Sequence, residues 1–278
     1  MKHLIWICSY PKSGNTWLRI LLDSILLHDG NSVDINRIEI ASRRIIKRNS
    51  FDEFLEFESD GLTPTEIIYY KQKYYLDYGL KATEDIFIKT HEANWKINEK
   101  LCLIPEEVTK LCVYIVRNPL DVVCSLANYH AIAIDKAIQL LGDRNYTLFG
   151  PEDGISYNVP VQVGDWSLNV SSWLNSKELP LIFIKYEDLL NKPVEILSGI
   201  MKGLNQPVDQ SLIESAVDNH KFSRLANQET THGFFERPRK TDVFFRKGQS
   251  GSWQEELSTR QVDKVINAHH KVIAQLGY

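Results

Sequence analysis

Short apolar runs alternate with segments of helical periodicity along most of the 278-residue chain. The first run, Leu4 to Cys8, predicts a buried strand, and Thr16 to His28 carries apolar residues at helical spacing. Further buried strands are predicted at residues 86–89, 110–117 and 181–185. Because strands separated by helices connect through right-handed crossovers, this pattern predicts a three-layer α/β/α fold with a central, mostly parallel sheet.

Capping residues predict where several helices begin. Thr63 followed by Pro64 marks a helix start within the otherwise broken helical segment 33–78, and Pro119 suits the first turn of a helix after the third strand. Ser258 is predicted to cap a final helix that ends near residue 275.

Two long segments show neither pattern. Residues 142–165 are rich in Gly, Pro and Asn, which predicts a lid or binding segment because long loops are often functional. Residues 227–252 are polar and are predicted to be irregular. Since no repeat, linker or low-complexity segment divides the chain, we expect one domain over residues 1–278.

The composition narrows the class of protein. Hydrophobic residues make up 43% and charged residues 24%, as in ordinary globular proteins. The 32 basic and 36 acidic residues give a net charge of −4, which argues against nucleic-acid binding. No apolar run reaches the roughly 18–20 residues of a membrane span. We therefore expect a cytoplasmic protein with no membrane partner and no signal peptide.

The cysteines do not indicate a metal site. No CxxC or Cys/His zinc spacing is present, so four buried free thiols and no required metal are expected. This usage is typical of a reducing compartment. The four residues are Cys8, Cys102, Cys112 and Cys124.

The loop after the first strand has the features of an anion site. The segment Tyr10 to Trp17 leads into a helix N-terminus, where free N–H groups and the helix dipole favour negative charge. Lys12 adds a cation, and Gly14 suits a tight turn. It is not a nucleoside-triphosphate loop, because no Gly-Lys-Ser/Thr starts the helix. The alternative is a capped turn with a solvated lysine. Further donors are Ser13, Asn15 and Thr16.

A second candidate site follows the third strand, which ends at Arg117. Ligands of open α/β sheets bind at the carboxyl ends of strands, and an Arg fork with the Ser125 hydroxyl suits a terminal phosphate. We expect Asn118, Pro119 and Asp121 to shape the strand–helix turn. Alternatively, Arg117 bridges surface acids.

Two further motifs carry candidate chemistry. Arg246, Lys247 and Gly248 place two cations beside a glycine, which permits close backbone approach to an anion. Lys89-Thr-His91 follows the second strand, and imidazole suits a general base because its ordinary pKa lies near 6.5. Each motif alone is weak, since basic glycine loops are common and a lone histidine is usually structural.

Taken together, and in their order along the chain, the four motifs resemble those of the PAPS-dependent sulfotransferase family (PAPS is 3′-phosphoadenosine 5′-phosphosulfate). Tyr10 to Trp17 is similar to the family's 5′-phosphosulfate loop YPKSGTTW, with Asn15 replacing the first Thr. The segment ending at Ser125 resembles the 3′-phosphate motif. The resemblance implies the P-loop-like sulfotransferase fold. Residues 14–19 and 166–173 are closest to bacterial members that sulfate natural products.

Three departures from the family pattern limit what the resemblance implies. Ser252 replaces the Asp of RKGxxGDW, and Glu92-Ala93 replaces the Leu-Pro that commonly follows KTH. Residues 254–259 do not match the dimer signature of animal cytosolic members, so the oligomeric state stays open.

The resemblance also implies roles. His91 takes the acceptor's proton, Lys12 stabilises the leaving oxygen, and Ser125 joins them as the third catalytic candidate. Tyr186 and Phe222 are matched to adenine contacts, and the alternative for Phe222 is an ordinary core residue. The residues expected to bind PAPS, and its product adenosine 3′,5′-bisphosphate (PAP), are Lys12, Ser13, Gly14, Asn15, Thr16, Trp17, Arg117, Ser125, Tyr186, Phe222, Arg246, Lys247 and Gly248.

Two alternatives and the acceptor stay open. A P-loop kinase would need the missing Gly-Lys-Ser/Thr, and a non-catalytic module would bind the nucleotide without transferring the group. The acceptor is expected to be a small molecule bearing an alcohol, phenol, amine or guanidinium group. Glu152 and Asp153 would permit a cationic acceptor.

Overall fold

The computed structural model describes residues 2–41, 46–98, 101–149 and 158–278. The strands in these ranges are β1 (Leu4–Ser9), β2 (Ile86–Thr90), β3 (Thr109–Val116), β4 (Thr147–Leu148), β5 (Val161–Gln162) and β6 (Leu181–Lys185). The helices are α1 (Asn15–Leu27), α2 (Arg48–Leu55), α3 (Pro64–Lys81), α4 (Pro119–His130), α5 (Ile134–Leu141), α6 (Trp166–Leu174), α7 (Tyr186–Asn191), α8 (Pro193–Gly203), α9 (Gln210–Asn219), α10 (Phe222–His232), α11 (Trp253–Glu256) and α12 (Thr259–Leu276).

A four-stranded sheet has the strand order β2-β1-β3-β6. β1 and β2 pair in parallel, in a register that runs from Leu4 opposite Ile86 to Cys8 opposite Thr90. The predicted α/β class, with a central parallel sheet flanked by helices, is confirmed. Because the strand order reverses beside β1, the carboxyl ends of β1 and β3 are where ligands of such sheets bind.

The predicted helix starts are borne out by their caps. Thr63 and Glu66 form a reciprocal capping box before α3, with Pro64 in its first turn. Ser258 and Gln261 do the same before α12. Each box satisfies main-chain N–H groups that the helix itself cannot pair.

The prediction of irregular structure over residues 227–252 is wrong for its first six residues, which belong to α10. This helix is polar, so its apolar periodicity is weak. It is held by tertiary contacts: the buried Glu229 carboxylate accepts hydrogen bonds from the main-chain N–H groups of Phe244 (2.8 Å) and Phe245 (2.9 Å).

The segment predicted to form a lid, residues 142–165, contains β4 and β5, which pair antiparallel. Residues 150–157 lie outside the described part of the chain, and Glu152 and Asp153 lie with them. The lid therefore stays a prediction.

The chain divides into two compact units, each built from three separate stretches. The first comprises Met1–Tyr10, Ala41–Tyr114 and Asp143–Ile182. Its core includes fully buried tryptophans such as Trp6, whose indole N–H donates to Thr109 Oγ1 at 3.1 Å.

The second unit comprises Pro11–Ile40, Ile115–Gly142 and Phe183–Tyr278. One hydrophobic cluster in this unit consists of Ile20, Ile35, Ile38, Leu225 and Phe234. The expectation of one domain over residues 1–278 stays a prediction.

All four cysteines are free thiols, as expected. Cys8, Cys112 and Cys124 are buried, whereas Cys102 is half-buried. Burial raises the pKa of Cys124 to about 12, so this thiol is protonated at neutral pH.

Candidate functional site

The loop between β1 and α1 is shaped by Gly14. Its φ of 101° is unfavourable for other residues, and an added Cβ would lie 2.5 Å from Cδ2 of Tyr186. Gly14 is also the N-cap of α1, which no side chain among the described residues caps. The loop therefore packs against the Tyr186 ring and leaves main-chain N–H groups at the helix N-terminus for an anion.

The Lys12 side chain in this loop lies between two aromatic rings. Its Nζ is 4.3 Å from the ring centroid of Tyr129 and 3.8 Å from that of Phe244. Cation–π attraction of this kind is worth about 0.5–2 kcal/mol. The two rings therefore fix the position of the charge without neutralising it.

Arg117 connects three of the predicted motifs. Its Nη1 donates to the carbonyl oxygen of Lys12 (3.4 Å), and its Nη2 donates to that of Gln249 (3.0 Å). Its Cζ lies 4.6 Å from the ring centroid of Tyr186. Its Nε is buried and has no hydrogen-bond partner within the described residues. A buried donor of this kind suits an anionic ligand.

Phe222 and Gly248 are packed directly together. Gly248 has a φ of 62°, and a Cβ at this position would lie 1.9 Å from Cδ2 of Phe222. Phe222 is thus in contact with the basic glycine loop, which places one predicted adenine contact beside a predicted phosphate contact.

Acidic side chains engage Arg246 and Lys247 in the structure, and their binding of the 3′-phosphate stays a prediction. Arg246 makes two bonds to Glu256, Nη1 to Oε2 at 2.6 Å and Nη2 to Oε1 at 3.0 Å. Lys247 Nζ lies 3.0 Å from Glu256 Oε1 and 3.2 Å from Glu255 Oε2. Partial burial raises the pKa of Glu256, but hydrogen bonds from the two cations outweigh it and lower that pKa.

Asn118 and Asp121, both expected to shape the strand–helix turn, have different roles. Asn118 is the N-cap of α4, and its side chain accepts from the N–H of Leu120 at 3.0 Å. The Asp121 carboxylate accepts main-chain N–H bonds from Gly251 (2.8 Å) and Trp253 (3.2 Å). Asp121 therefore ties the loop after Gly248 to α4, the helix that carries Ser125.

The Thr16 hydroxyl, predicted to contact the 5′-phosphate, donates to Glu236 Oε2 at 3.0 Å. The other carboxylate oxygen of Glu236 accepts from Arg19 Nη1 at 2.8 Å. The main-chain N–H of Thr16 still belongs to the helix N-terminus. The expected contact therefore rests on the main chain more than on the hydroxyl.

The remaining predicted nucleotide-binding residues also belong to the second unit. Trp17 donates its indole N–H to the carbonyl oxygen of His220 at 3.1 Å. Its ring meets Tyr186 edge-on, with the centroids 6.2 Å apart. Ser13 and Asn15 are buried, and Ser125 is half-buried on α4.

His91 belongs to the first unit and follows β2. Its Nδ1 lies 2.9 Å from the carbonyl oxygen of Ser9 and 3.1 Å from Ser9 Oγ. A carbonyl oxygen can only accept, so Nδ1 carries the proton in the neutral ring and Nε2 is the basic nitrogen. Asn169 Nδ2 donates to the His91 carbonyl at 3.0 Å and fixes the main chain.

Glu92, next to His91, forms a buried ion pair with Lys71. The side chains are 2% and 1% exposed, and Lys71 Nζ lies 2.7 Å from Glu92 Oε1. Lys71 also donates to the carbonyl oxygen of Pro160 at 2.6 Å, and the Gln162 N–H donates to Glu92 at 3.3 Å. Glu92, which departs from the family pattern, is therefore part of a buried polar network, and it is next to His91 in the chain.

Several of these partners could not be found from motifs. Tyr129, Phe244 and Glu236 lie outside every motif and are far in sequence from the residues they contact. Glu256 lies within residues 254–259, which depart from the family's dimer signature, but that departure does not indicate an ion pair with Arg246.

Within the described residues, no group of three or more His, Cys, Asp or Glu side chains could hold a metal ion. No described helix combines the length and apolar character needed to cross a membrane. The expectation that no metal is required stays a prediction.

Sequence comparison defines the class of protein. The family described as "Sulfotransferase domain" matches residues 2–277. Rat Sulfotransferase 1A1 is 25% identical over 277 residues, covering 95% of this chain and 82% of its own. Flavonol 4′-sulfotransferase of Flaveria chlorifolia is 26% identical over 283 residues, covering 95% of this chain and 78% of its own.

Solved structures show the same fold. Mouse sulfotransferase SULT7A1 complexed with PAP aligns with a TM-score of 0.62 and 18% identity, covering 98% of this chain and 85% of its own. Retinol dehydratase in a complex with retinol and PAP aligns with a TM-score of 0.62 and 17% identity, covering 98% and 82%. The chain belongs to the sulfotransferase family, which confirms the resemblance, and it is an enzyme of that class.

Proposed function

We propose that this sulfotransferase moves a sulfuryl group from PAPS to a hydroxyl or amine of a small-molecule acceptor, with His91 as general base and Lys12 at the leaving oxygen. The observation that carries the proposal is Arg117, which contacts the β1–α1 loop through the Lys12 carbonyl, the glycine loop through Gln249, and Tyr186 through its ring. Residues from three motifs far apart in sequence thus meet at one guanidinium.

The residues of the second unit fit a nucleotide with phosphates at two positions. The α1 N-terminus offers main-chain N–H groups for the 5′-phosphosulfate, where Gly14 leaves no Cβ in the way. Arg117, with its buried unpaired Nε, offers donors for the 3′-phosphate. Tyr186 and Phe222 supply aromatic faces beside these groups. The solved mouse relative complexed with PAP supports the same ligand class.

PAPS supplies the activated sulfuryl group. Transfer of such a group needs in-line alignment and neutralisation of charge on the leaving oxygen. The Lys12 ammonium, held over two rings, provides a fixed positive charge. His91 presents Nε2 as the basic nitrogen, because Ser9 holds the proton on Nδ1. Lys12 follows Ser9 by three residues in the chain. Ser125 remains the third catalytic candidate.

The acceptor is proposed only by class. The named relatives are from a rodent and a plant, so they give no support to the bacterial, natural-product assignment, which rests on residues 14–19 and 166–173 alone. We keep a natural product or metabolite bearing a hydroxyl or amine as the proposed acceptor. A cytoplasmic location without nucleic-acid partners is proposed from the composition.

Thermal melting with PAP tests the nucleotide site. A ligand at 100 times its Kd stabilises the folded state by about 2.7 kcal/mol. For a chain of this size, that corresponds to a rise in Tm of about 5–10 °C. Arg117→Ala should reduce the rise to less than half, whereas Arg260→Ala, on α12 and outside every motif, should leave it unchanged. No rise in the wild type would refute the proposed function.

A further inference from the structure

The basic glycine loop contains its own counter-ions. Glu255 and Glu256 lie on α11, directly after the loop, and between them engage both Arg246 and Lys247. The Glu256 carboxylate meets the Arg246 guanidinium through two parallel bonds of 2.6 and 3.0 Å. This fork geometry is the one in which arginine binds a phosphate. Glu256 therefore uses the same Arg246 donors that a 3′-phosphate would use.

The two glutamates differ in how strongly they can act. The Glu256 side chain is 21% exposed and contacts both cations, while Glu255 is 76% exposed and contacts Lys247. Solvent screens exposed ion pairs strongly, whereas a partly shielded, bidentate pair is stronger. Glu256 is thus the residue that limits the availability of Arg246, and Glu255 is a natural control.

The position of Glu256 is built into the fold. The Asp121 carboxylate on α4 accepts the main-chain N–H groups of Gly251, just before α11, and of Trp253, the first residue of α11, the helix that carries Glu256. Ser252 Oγ also approaches Asp121, at 3.3 Å. Because the loop is tied at these points, the glutamate is presented to Arg246 by a defined turn rather than by a chance side-chain contact.

Charge balance gives the consequence. Arg246 and Lys247 contribute two positive charges, and Glu255 and Glu256 contribute two negative charges. An incoming phosphate monoester, which carries a charge of about −1.5 to −2 at pH 7, therefore meets a neutralised pair of cations. It must displace Glu256 from Arg246 before it can use the guanidinium fork.

We propose that Glu256 is a specificity-determining residue that competes with the 3′-phosphate for Arg246 and Lys247. It thereby weakens the preference of this enzyme for 3′-phosphorylated nucleotides over their desphospho counterparts. The inference rests on the proposed function, because it concerns the same nucleotide site. It predicts that removing the charge of Glu256 improves binding of one nucleotide and leaves the other unchanged.

Isothermal titration calorimetry on the full chain tests this, with PAP and with AMP, which lacks the 3′-phosphate. We expect Glu256→Gln to bind PAP about tenfold more tightly, equivalent to about 1.4 kcal/mol, with AMP affinity changed less than twofold. Glu255→Gln should change PAP affinity less than threefold. Glu256→Asp keeps the charge and should not reproduce the gain.

The outcomes separate the two proposals. PAP affinity that is unchanged or lower in Glu256→Gln, in protein whose melting curve shows it folded, overturns the inference. A lower affinity would indicate that Glu256 orients Arg246 for the ligand. Equal gains for PAP and AMP also overturn it. Failure of PAP to bind both wild type and Glu256→Gln instead refutes the proposed function.

Discussion

Replacing Glu92 by leucine, the residue of the family pattern, should leave a buried ammonium without its counter-ion. The Lys71 and Glu92 side chains are 1% and 2% exposed, and they meet at 2.7 Å. After the substitution, Lys71 Nζ keeps the carbonyl oxygen of Pro160, at 2.6 Å, as an acceptor. One neutral acceptor cannot replace the lost solvation of a full charge.

The magnitude follows from the contacts. Removing one partner of a buried pair costs about 3–5 kcal/mol, so Glu92→Leu and Lys71→Met should each lose that much stability. The double variant contains neither charge. Its main loss is the main-chain N–H of Gln162, which donated to Glu92 at 3.3 Å. A buried donor left unpaired costs about 1–3 kcal/mol. The sum of the two single losses should therefore exceed the loss in the double variant by at least about 3 kcal/mol.

Urea denaturation of the four proteins measures this coupling as a double-mutant cycle. The matched control is the pair of Lys81 and Asp77, which has the same 2.7 Å separation but side chains 75% and 40% exposed. Its coupling should be below about 0.5 kcal/mol. Additive losses at Lys71 and Glu92, or a double variant less stable than either single variant, would refute the reasoning.

Two further predictions test other parts of the structure. Gly248→Ala should weaken PAP binding about tenfold or more, because its Cβ would lie 1.9 Å from Phe222 and its φ is 62°; titration calorimetry measures this, and wild-type affinity would contradict it. Burial lowers the pKa of His220 from 6.5, so below pH 6.5 the unfolded chain takes up a proton that the folded chain does not. The free energy of unfolding should thus fall as pH drops from 7.5 to 5.5, and less steeply in His220→Gln; parallel slopes would contradict the assignment.

The sheet and the helix starts were predictable because each depends on local sequence. Buried parallel strands are continuous apolar runs, and β1, β3 and β6 each begin and end within one or two residues of the prediction. Caps such as Thr63 before Pro64 are equally local, since their partners lie within one helical turn. Apolar periodicity did not predict all of α10, because this helix is polar. It is stabilised by hydrogen bonds between the Glu229 carboxylate and the main-chain N–H groups of Phe244 and Phe245.

The motifs predicted which residues form the candidate site, but not which side chains contact those residues. Motif resemblance identified Arg117, Gly14 and Gly248, and the structure places these residues in one connected set of contacts. It could not show that Glu256 engages Arg246, because ion pairing depends on side-chain position rather than on residue type. The same limit applies to the rings on either side of Lys12.

The central claim is sulfuryl transfer that depends on His91, and turnover of sulfur-labelled PAPS against a panel of hydroxyl and amine acceptors tests it most directly. Wild-type protein should label at least one acceptor. His91→Ala should lower the rate by about 100-fold or more while PAP still raises its Tm, and His232→Ala, exposed on α10, should label at the wild-type rate. Labelling by His91→Ala at the wild-type rate, or PAP binding by the wild type with no acceptor labelled, would contradict the account.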